Sequence, residues 1–366
     1  MTAAWLLAAA ALATGRPAPP PPPERTYYVF VASEGVDRIQ LVRFGPAGIS
    51  VDRSFRIGLV PTEPSGPHGL AVAPDGRTFY VSTGHGTPYG SLWKYGTADD
   101  KPSGRVQLGL FPATLQISPE GYLAYVVNFN LYGEMVPSSV SVVATDEMVE
   151  VARIPTCVMP HGSRLNPTGT KHYSACMMDD MLVEIDTKTL AVSRHFALTK
   201  GQEHGMTGPP MAHQAGTGMP AVTCSPTWAQ PSADGSKIYV ACNKANEIVE
   251  IDAGSWTIAR RWPAGNGVYN LAVTHDGKLL LATNKRGQSV SIFDLASGTE
   301  LKRLPTKRRI VHGLAVAPDD RYAFASVEGI GSEPGTVEVI DLRTLETAAT
   351  VDVGSMAGGI DVWKEE

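Results

Sequence analysis

The chain has 366 residues, of which 43% are hydrophobic, 37 are glycine and 28 are proline. This length and apolar content allow a large core, and the abundance of glycine and proline is typical of a fold with many turns. The formal net charge is only −5 and no basic block is present, which gives no support for nucleic-acid binding.

The N-terminal residues predict export. Residues 3–13 form an apolar run, and Ala11-Leu12-Ala13 supplies a small-residue cleavage site, so residues 1–16 are interpreted as a signal peptide. No Lys or Arg precedes the run, and an uncleaved anchor or a misplaced start is the alternative. Residues 17–26, which include an unbroken run of prolines, predict a stiff linker. We therefore expect a periplasmic or extracellular protein with no membrane span in the mature chain.

A repeated hairpin dominates the rest of the chain. Its first copy joins an alternating apolar run ending at Ala73 to a second run, 77–83, through a Pro-Asp-Gly turn. The turn position at residue 76 recurs at residues 121, 169, 235, 277 and 320, with spacings of 45, 48, 66, 42 and 43 residues. Alternating runs between the hairpins supply two more strands per repeat. A repeat of about 40–45 residues with four short strands indicates a β-propeller blade.

The two ends of the chain complement each other. Three predicted strands, at 26–33, 38–44 and 49–57, precede the first inner strand, whereas 357–363 reads as an inner strand with no hairpin after it. Joining these segments into one composite blade removes the exposed sheet edges. The sequence therefore predicts an all-β fold, a single seven-bladed β-propeller of four-stranded antiparallel blades spanning residues 27–366.

The hairpin sequences resemble those of the YVTN-repeat β-propellers, which include YncE-like periplasmic proteins. The resemblance rests on the segments APDGRTFYVS, SADGSKIYVAC and THDGKLLLATN, each followed by a strand similar to VEID or SIFD. It covers residues 27–366 and implies the architecture. The family's propellers serve many roles, some of them in DNA binding, so the resemblance implies no particular activity.

Counting eight residues back from each turn position reaches the start of each inner strand. The residues found there are His68, Ala113, His161, Thr227, Tyr269 and His312, with Gly358 as the seventh. Inner strands of a propeller begin around its axis, so these residues are predicted to ring one mouth of the central channel. Three neutral imidazoles with an open position suit a catalytic copper, zinc or iron ion. The alternative is a polar lining of a wet channel.

Other residues are predicted to lie on the same face. Thr227, Tyr269 and His85 are candidates for contacts with a substrate or pocket. A glycine- and proline-rich insertion, 200–222, breaks the repeat spacing and is expected to lie over the channel. Within it, His204, His213, Met206 and Met211 would complete or cap the metal site, and the methionine sulfurs would favour copper. The remaining histidines, His172, His195 and His275, are interpreted as structural.

Four cysteines, Cys157, Cys176, Cys224 and Cys242, also fall on this face. An even number of cysteines in an exported protein predicts disulfides. Three pairings are possible, although the last two cysteines lie near each other across one hairpin. The alternative is that the thiolates bind copper.

These observations favour an exported propeller with a metal site, with copper as the preferred ion, that acts as an oxidoreductase. One alternative is a non-enzymatic scaffold that binds a small molecule, peptide, polysaccharide or protein, and another is a lactonase-like hydrolase. The sequence contains no dinucleotide-binding, Walker, HExxH, GxSxG or CxxCH motif, so no nucleotide or covalently bound haem is expected.

Overall fold

The computed structural model describes residues 22–58, 60, 62–84, 89–210 and 222–366. Within these ranges the chain is all-β, apart from one turn of 3₁₀ helix at Glu34–Val36. None of the described segments is a helix long and apolar enough to traverse a bilayer. The predicted signal peptide, residues 1–16, and the first part of the predicted linker lie outside the described residues.

The described residues form the following strands in chain order. They are β1 (Tyr27–Ser33), β2 (Arg38–Gly45), β3 (Gly48–Arg56), β4 (Pro67–Val72), β5 (Thr78–Thr83), β6 (Ser91–Gly96), β7 (Pro102–Gln107), β8 (Pro112–Ile117), β9 (Leu123–Asn128), β10 (Pro137–Ala144), β11 (Val149–Val158), β12 (Pro160–Leu165), β13 (Lys171–Cys176), β14 (Met181–Asp186), β15 (Ala191–Ala197), β16 (His204–Thr207), β17 (Pro226–Pro231), β18 (Lys237–Cys242), β19 (Glu247–Asp252), β20 (Thr257–Pro263), β21 (Val268–Val273), β22 (Leu279–Asn284), β23 (Ser289–Asp294), β24 (Thr299–Pro305), β25 (Ile310–Val316), β26 (Tyr322–Glu328), β27 (Gly335–Asp341), β28 (Glu346–Val353) and β29 (Ala357–Glu365).

These strands form seven antiparallel blades arranged in a ring, as predicted. Blades one to six begin with the inner strands β4, β8, β12, β17, β21 and β25, and each blade then runs outward in chain order. The seventh blade has the order β29-β1-β2-β3, which confirms that the C-terminal strand joins the N-terminal strands. Closure of the ring in this way gives the seventh blade its inner strand, so that this blade, too, has four strands.

The core lies between the faces of adjacent blades. In β19, Ile248, Val249 and Ile251 are completely buried although they point to opposite faces of the strand, because each face packs on another blade. Between blades four and five, for example, Trp262 packs against Phe293 with ring centroids 5.8 Å apart. Burial on both faces explains why the middle strands read as nearly continuous apolar runs.

Neighbouring inner strands approach each other closely at the glycine that follows each ring histidine. A Cβ atom on Gly69 would lie 2.0 Å from the carbonyl oxygen of Ala113 in the next blade, so no larger residue fits. The hydroxyl of Ser82 links the same two strands, because it accepts from the Gly69 N–H at 2.8 Å and donates to the Ala113 oxygen at 2.6 Å. Blade six repeats this bridge with Gly313, Ser326 and Gly358. The glycines therefore set how tightly the blades close around the channel.

The four cysteines form two disulfides, Cys157–Cys176 and Cys224–Cys242. Cys157–Cys176 joins the end of β11, the last strand of blade two, to the end of β13 in blade three, whereas Cys224–Cys242 joins the segment before β17 to the end of β18 within blade four. The structure thus selects one of the three possible pairings. The alternative that the thiolates bind copper is wrong, because no cysteine is free.

The described part of the insertion at 200–222 does not lie over the channel, where the sequence predicts it. Its residues 204–207 form β16, which pairs with β15 and adds a fifth strand to the outer edge of blade three. The edge of β15 offers unpaired backbone groups, and β16 satisfies them. The described part of the insertion therefore lies on the circumference of the ring, and residues 211–221 lie outside the described residues.

Candidate metal centre at the channel mouth

Three histidines meet at one mouth of the central channel. His68, His161 and His312 lie at the beginning of the inner strands of blades one, three and six. One nitrogen of each imidazole lies within 4.8 Å of the corresponding nitrogens of the other two. His161 and His312 are buried, and His68 is only partly exposed. The ring is therefore narrow enough to bring together side chains from blades on opposite sides.

Each imidazole has an oxygen partner on its Nδ1 side. Glu34 Oε2 lies 2.7 Å from His68 Nδ1, and His161 Nδ1 is 3.2 Å from the carbonyl oxygen of Thr227. Glu328 Oε1 lies 2.7 Å from His312 Nδ1, which is ion-pair distance, although the two groups are not aligned as in a hydrogen bond. Metal-binding histidines in proteins commonly donate their second ring N–H to a carboxylate or backbone carbonyl. All three histidines have such an acceptor within reach.

The Nε2 atoms have a different environment. His68 Nε2 is buried and has no hydrogen-bond partner among the described residues. The hydroxyl of Tyr269 lies 2.9 Å from His161 Nε2 and 3.5 Å from His312 Nε2. Because a buried imidazole nitrogen without a partner is costly, His68 Nε2 is an atom that could act as a ligand to a metal ion.

Burial keeps two of these imidazoles neutral. It lowers the pKa of His161 well below its usual value, and the neighbouring His68, His312 and Lys285 lower it further. The pKa of His312 is also lowered by burial and by Lys285, against the opposing effect of Glu328. Neutral imidazole is the form that binds metal, so a cation does not have to displace a proton from either residue near pH 7.

Tyr269, Lys285 and Glu328 form a charged border to the cluster. Lys285 Nζ lies 4.2 Å from the centre of the Tyr269 ring and 3.9 Å from Glu328 Oε1. Burial lowers the pKa of Lys285 and raises that of Tyr269. Burial also opposes ionisation of Glu328, but His312 and Lys285 outweigh it and lower the pKa of this carboxyl. The border therefore contains a carboxylate and a neutral phenol.

The mouth above the cluster is an open depression with two unlike halves. The half formed by blades two and three is largely apolar and includes Phe111, Phe129, Leu131, Tyr132 and Met177. The half formed by blades five to seven carries Glu34, Lys285, Arg286 and Glu328. This arrangement suits a ligand with an apolar part and a polar part.

Phe111 packs the apolar half of the mouth against the histidine cluster. Its ring centroid lies 5.2 Å from that of His68, and Phe129 packs at 4.8 Å from His161. Phe111 has a left-handed backbone φ of 48°, at a position that is glycine in two other blades, at Gly66 and Gly267. Such a conformation costs an ordinary residue about 1–2 kcal/mol. Met159, Ser225 and Met356 hold the same place in three other blades with φ of 49–53°, so the left-handed conformation is a feature of this position in the repeat.

Several residues at the mouth were not predicted from the sequence, although a signal for them exists. The histidines were found by counting eight residues back from each turn position. Counting eight residues forward from the same positions reaches Gly84, Phe129, Met177, Asn243, Lys285 and Glu328. These residues directly follow, or in the last case end, the second strand of each blade. Glu34 holds the equivalent place after β1. They form a second ring at the mouth, outside the first.

The other predicted site residues are not gathered at the cluster. His204 and Met206 lie on β16 at the outer edge of blade three, and His204 is exposed, with its Nδ1 2.7 Å from the Gln202 oxygen. His85, His213 and Met211 lie outside the described residues. Thr227 does reach the mouth, but its hydroxyl donates to the Tyr269 carbonyl oxygen at 2.8 Å and so joins blades four and five.

Comparisons with known proteins identify the fold only. No protein-family model matches the chain, and no curated protein matches it. A functionally unknown protein from Desulfotomaculum acetoxidans DSM 771 is similar over 92% of this chain and 98% of its own, with a TM-score of 0.67 and 15% identity. A chain of Kuenenia stuttgartiensis hydrazine synthase is similar over 79% of this chain and 80% of its own, with a TM-score of 0.59 and 21% identity. The resemblance to YVTN-repeat proteins therefore stays a prediction.

Proposed function

We propose that this protein binds one transition-metal ion, copper, through His68, His161 and His312, and that the site serves an exported oxidoreductase. The observation that carries the proposal is the convergence of three imidazole nitrogens within 4.8 Å, each imidazole having an acceptor on its other nitrogen. Ligands to one ion at 2.0–2.1 Å lie about 3.3 Å apart in a tetrahedron, so a small inward movement of the rings completes the site.

The donor set supports copper. Three imidazoles suit copper, zinc, iron and nickel, and among divalent ions copper binds such nitrogen sites most tightly. The thioether of Met177 lines the same opening and is a soft donor. The phenol of Tyr269, bridging two of the imidazoles, is a further oxygen ligand once a cation lowers its pKa.

Electron transfer suits this site better than metal-independent hydrolysis. Hydrolysis of that kind needs a carboxylate or imidazole that is free to act as a general base. The two carboxylates nearest the cluster, Glu34 and Glu328, both contact imidazoles. The copper ion would supply the one-electron chemistry, while the two-sided mouth would bind and orient the substrate.

Export is supported by the signal-like residues 1–16 and by the two disulfides, which persist in oxidising compartments. A scaffold that binds a ligand without metal is the second candidate. The apolar half of the mouth favours it, because Phe111, Leu131 and Tyr132 offer a surface that a metal site alone does not require.

Metal analysis of the protein from an exporting host tests the proposal. We expect about one equivalent of copper in the wild type and a loss of affinity of at least about 100-fold in each of His68→Gln, His161→Gln and His312→Gln. His275→Gln is the matched control, because His275 pairs with Asp320 at an exposed inner turn and should not affect copper binding. Glu328→Gln should weaken binding by roughly 10–100-fold through the loss of an outer partner.

Spectroscopy and metal analysis test separately the phenolate ligand, the identity of the metal and the existence of the metal site. A visible absorption band that disappears in Tyr269→Phe would identify a phenolate ligand. One equivalent of zinc with no uptake of copper would overturn the choice of metal and the redox activity. Substoichiometric metal in the wild type after copper loading would overturn the metal site and leave the scaffold.

A further inference from the structure

A second cavity lies inside the channel, next to the histidine cluster. It is a small cavity that shares His68 and His312 with the mouth. Its walls are the inner strands, with several glycines and leucines, and four polar side chains face it besides the histidines: Thr114, Arg164, Trp228 and Asn270. The cavity therefore combines a largely apolar wall with a few polar groups, as ligand sites do.

Arg164 is the dominant charge in this cavity. Its guanidinium donates to the Ser163 carbonyl oxygen at 2.9 Å and lies 4.5 Å from the centre of the Trp228 ring. Among the described residues no carboxylate lies within 4.0 Å of it. The carboxylate of Asp361 is the acid that acts on it electrostatically, but its oxygens accept from the Val72 and Val362 backbone N–H groups. An arginine inside a protein ordinarily pairs with an anion, so Arg164 lacks its usual partner.

Two neighbouring side chains also have unused polar atoms. Trp228 is 4% exposed and its Nε1 has no hydrogen-bond partner among the described residues. Asn270 is 3% exposed and its Oδ1 likewise has none there. Leaving a buried donor or acceptor unpaired costs about 1–3 kcal/mol each. A ligand that satisfies both atoms would therefore gain affinity from groups that are already in place.

We propose that this cavity binds a small hydroxycarboxylate, with its carboxylate on Arg164 and Trp228 and its hydroxyl on Asn270. The planar guanidinium can donate two parallel hydrogen bonds to a carboxylate. The indole N–H is only a donor, so it also requires an acceptor such as a carboxylate oxygen. Asn270 Oδ1 needs a donor, which a hydroxyl group provides. None of these three residues belongs to the histidine cluster, although the cavity borders that cluster at His68 and His312.

Calorimetric titration with glycolate tests the site, using protein held in chelator so that no metal contributes. We expect saturable binding in the millimolar range for the wild type, with acetate binding at least threefold more weakly because it lacks the hydroxyl. Arg164→Met should weaken glycolate binding at least tenfold. Trp228→Phe keeps the ring and removes the donor, and should weaken it several-fold even if the arginine variant folds poorly.

Arg105→Met is the matched control. Arg105 also stacks on a tryptophan, 5.0 Å from the Trp93 ring centre, but on the outer strand β7. Its substitution should leave glycolate binding within twofold of wild type. The proposal would be overturned if the wild type showed no saturable glycolate binding, or if Arg164→Met bound glycolate as tightly as the wild type. It would also be overturned if Arg105→Met lost as much glycolate affinity as Arg164→Met. Acetate and glycolate binding equally well would overturn the role of Asn270. Since the titration is metal-free, none of these outcomes depends on whether copper binds at the mouth.

Discussion

Individual histidines in this protein are kept neutral by their surroundings, and His172 is the clearest case. It is fully buried on β13 and stacks on Tyr125, with ring centroids 5.1 Å apart. Neither ring nitrogen has a hydrogen-bond partner among the described residues. Burial, helped by the nearby Arg164, lowers its pKa to about 3. The prediction that His172 is structural fits this position in the core between blades two and three.

This residue makes the protein sensitive to acid. In the unfolded chain a histidine binds a proton below about pH 6.5, whereas folded His172 does not until about pH 3. The free energy of unfolding therefore falls by about 1.4 kcal/mol per pH unit across this interval. We predict that the free energy of unfolding, measured by urea denaturation, falls between pH 7 and pH 4.5 by about 2–3 kcal/mol less in His172→Phe than in the wild type.

His204→Gln is the control for that measurement, because His204 is exposed on the outer strand β16. It should follow the wild-type pH dependence. If His172→Phe also follows the wild type, the pKa of His172 is not lowered as described.

At the scale of the strand, the inner strands are held together by glycines that admit the backbone of the next blade. At Gly162, directly after His161, a Cβ atom would lie 2.4 Å from the Thr227 carbonyl oxygen, the same oxygen that His161 Nδ1 contacts. The close packing of blades three and four and the orientation of the imidazole therefore depend on one glycine. Strand packing and site geometry are coupled here.

Substituting this glycine should affect both properties. We predict that Gly162→Ala destabilises the protein by about 1–3 kcal/mol, as overpacking does, and weakens metal binding because His161 shifts with its strand. Urea denaturation and copper titration measure the two effects. Gly254→Ala is the control, since its Cβ would meet only Asp252 Oδ1 at 3.4 Å, and its cost should stay below about 0.5 kcal/mol. A Gly162→Ala protein with wild-type stability would show that the blades can separate freely.

At the scale of the whole molecule, closure of the ring depends on the last strand. β29 pairs with β1, and the Trp363 indole N–H donates to the Gly76 oxygen of blade one at 2.8 Å. Asp361 reaches the same blade by accepting from the Val72 N–H at 2.8 Å. The C-terminal strand thus connects the first and last parts of the ring, and its contacts are among the most distant in sequence.

Removal of this strand should open the ring. We predict that a chain ending at Gly354 loses cooperative unfolding or melts at least about 10 °C lower, because β1 and the cores on both sides of the seventh blade become exposed. A synthetic peptide of residues 355–366 should restore the melting temperature in a concentration-dependent way. A truncated chain that melts like the wild type, with or without the peptide, would contradict this role.

Much of the site could be located by counting along the sequence, because strand register is a local property. The fixed distance from each turn placed His68, His161 and His312 at the starts of inner strands, and the same count forward would have found Lys285 and Glu328. The insertion could not be placed in this way. Its residues 204–207 pair with the free edge of β15. Neither the alternation of apolar residues nor the composition of the insertion indicates this pairing.

The sequence by itself determined the number of blades, the closure of the ring and the residues that begin the inner strands at the channel mouth, because turns and alternating strands repeat at fixed intervals. The tertiary structure alone decided which of these residues meet. The width of the channel, set by the contact of glycines with the next blade, brings imidazoles of blades one, three and six within 4.8 Å. The tertiary structure also decided the disulfide pairing and the isolation of Arg164, since both depend on distances between neighbouring strands and blades.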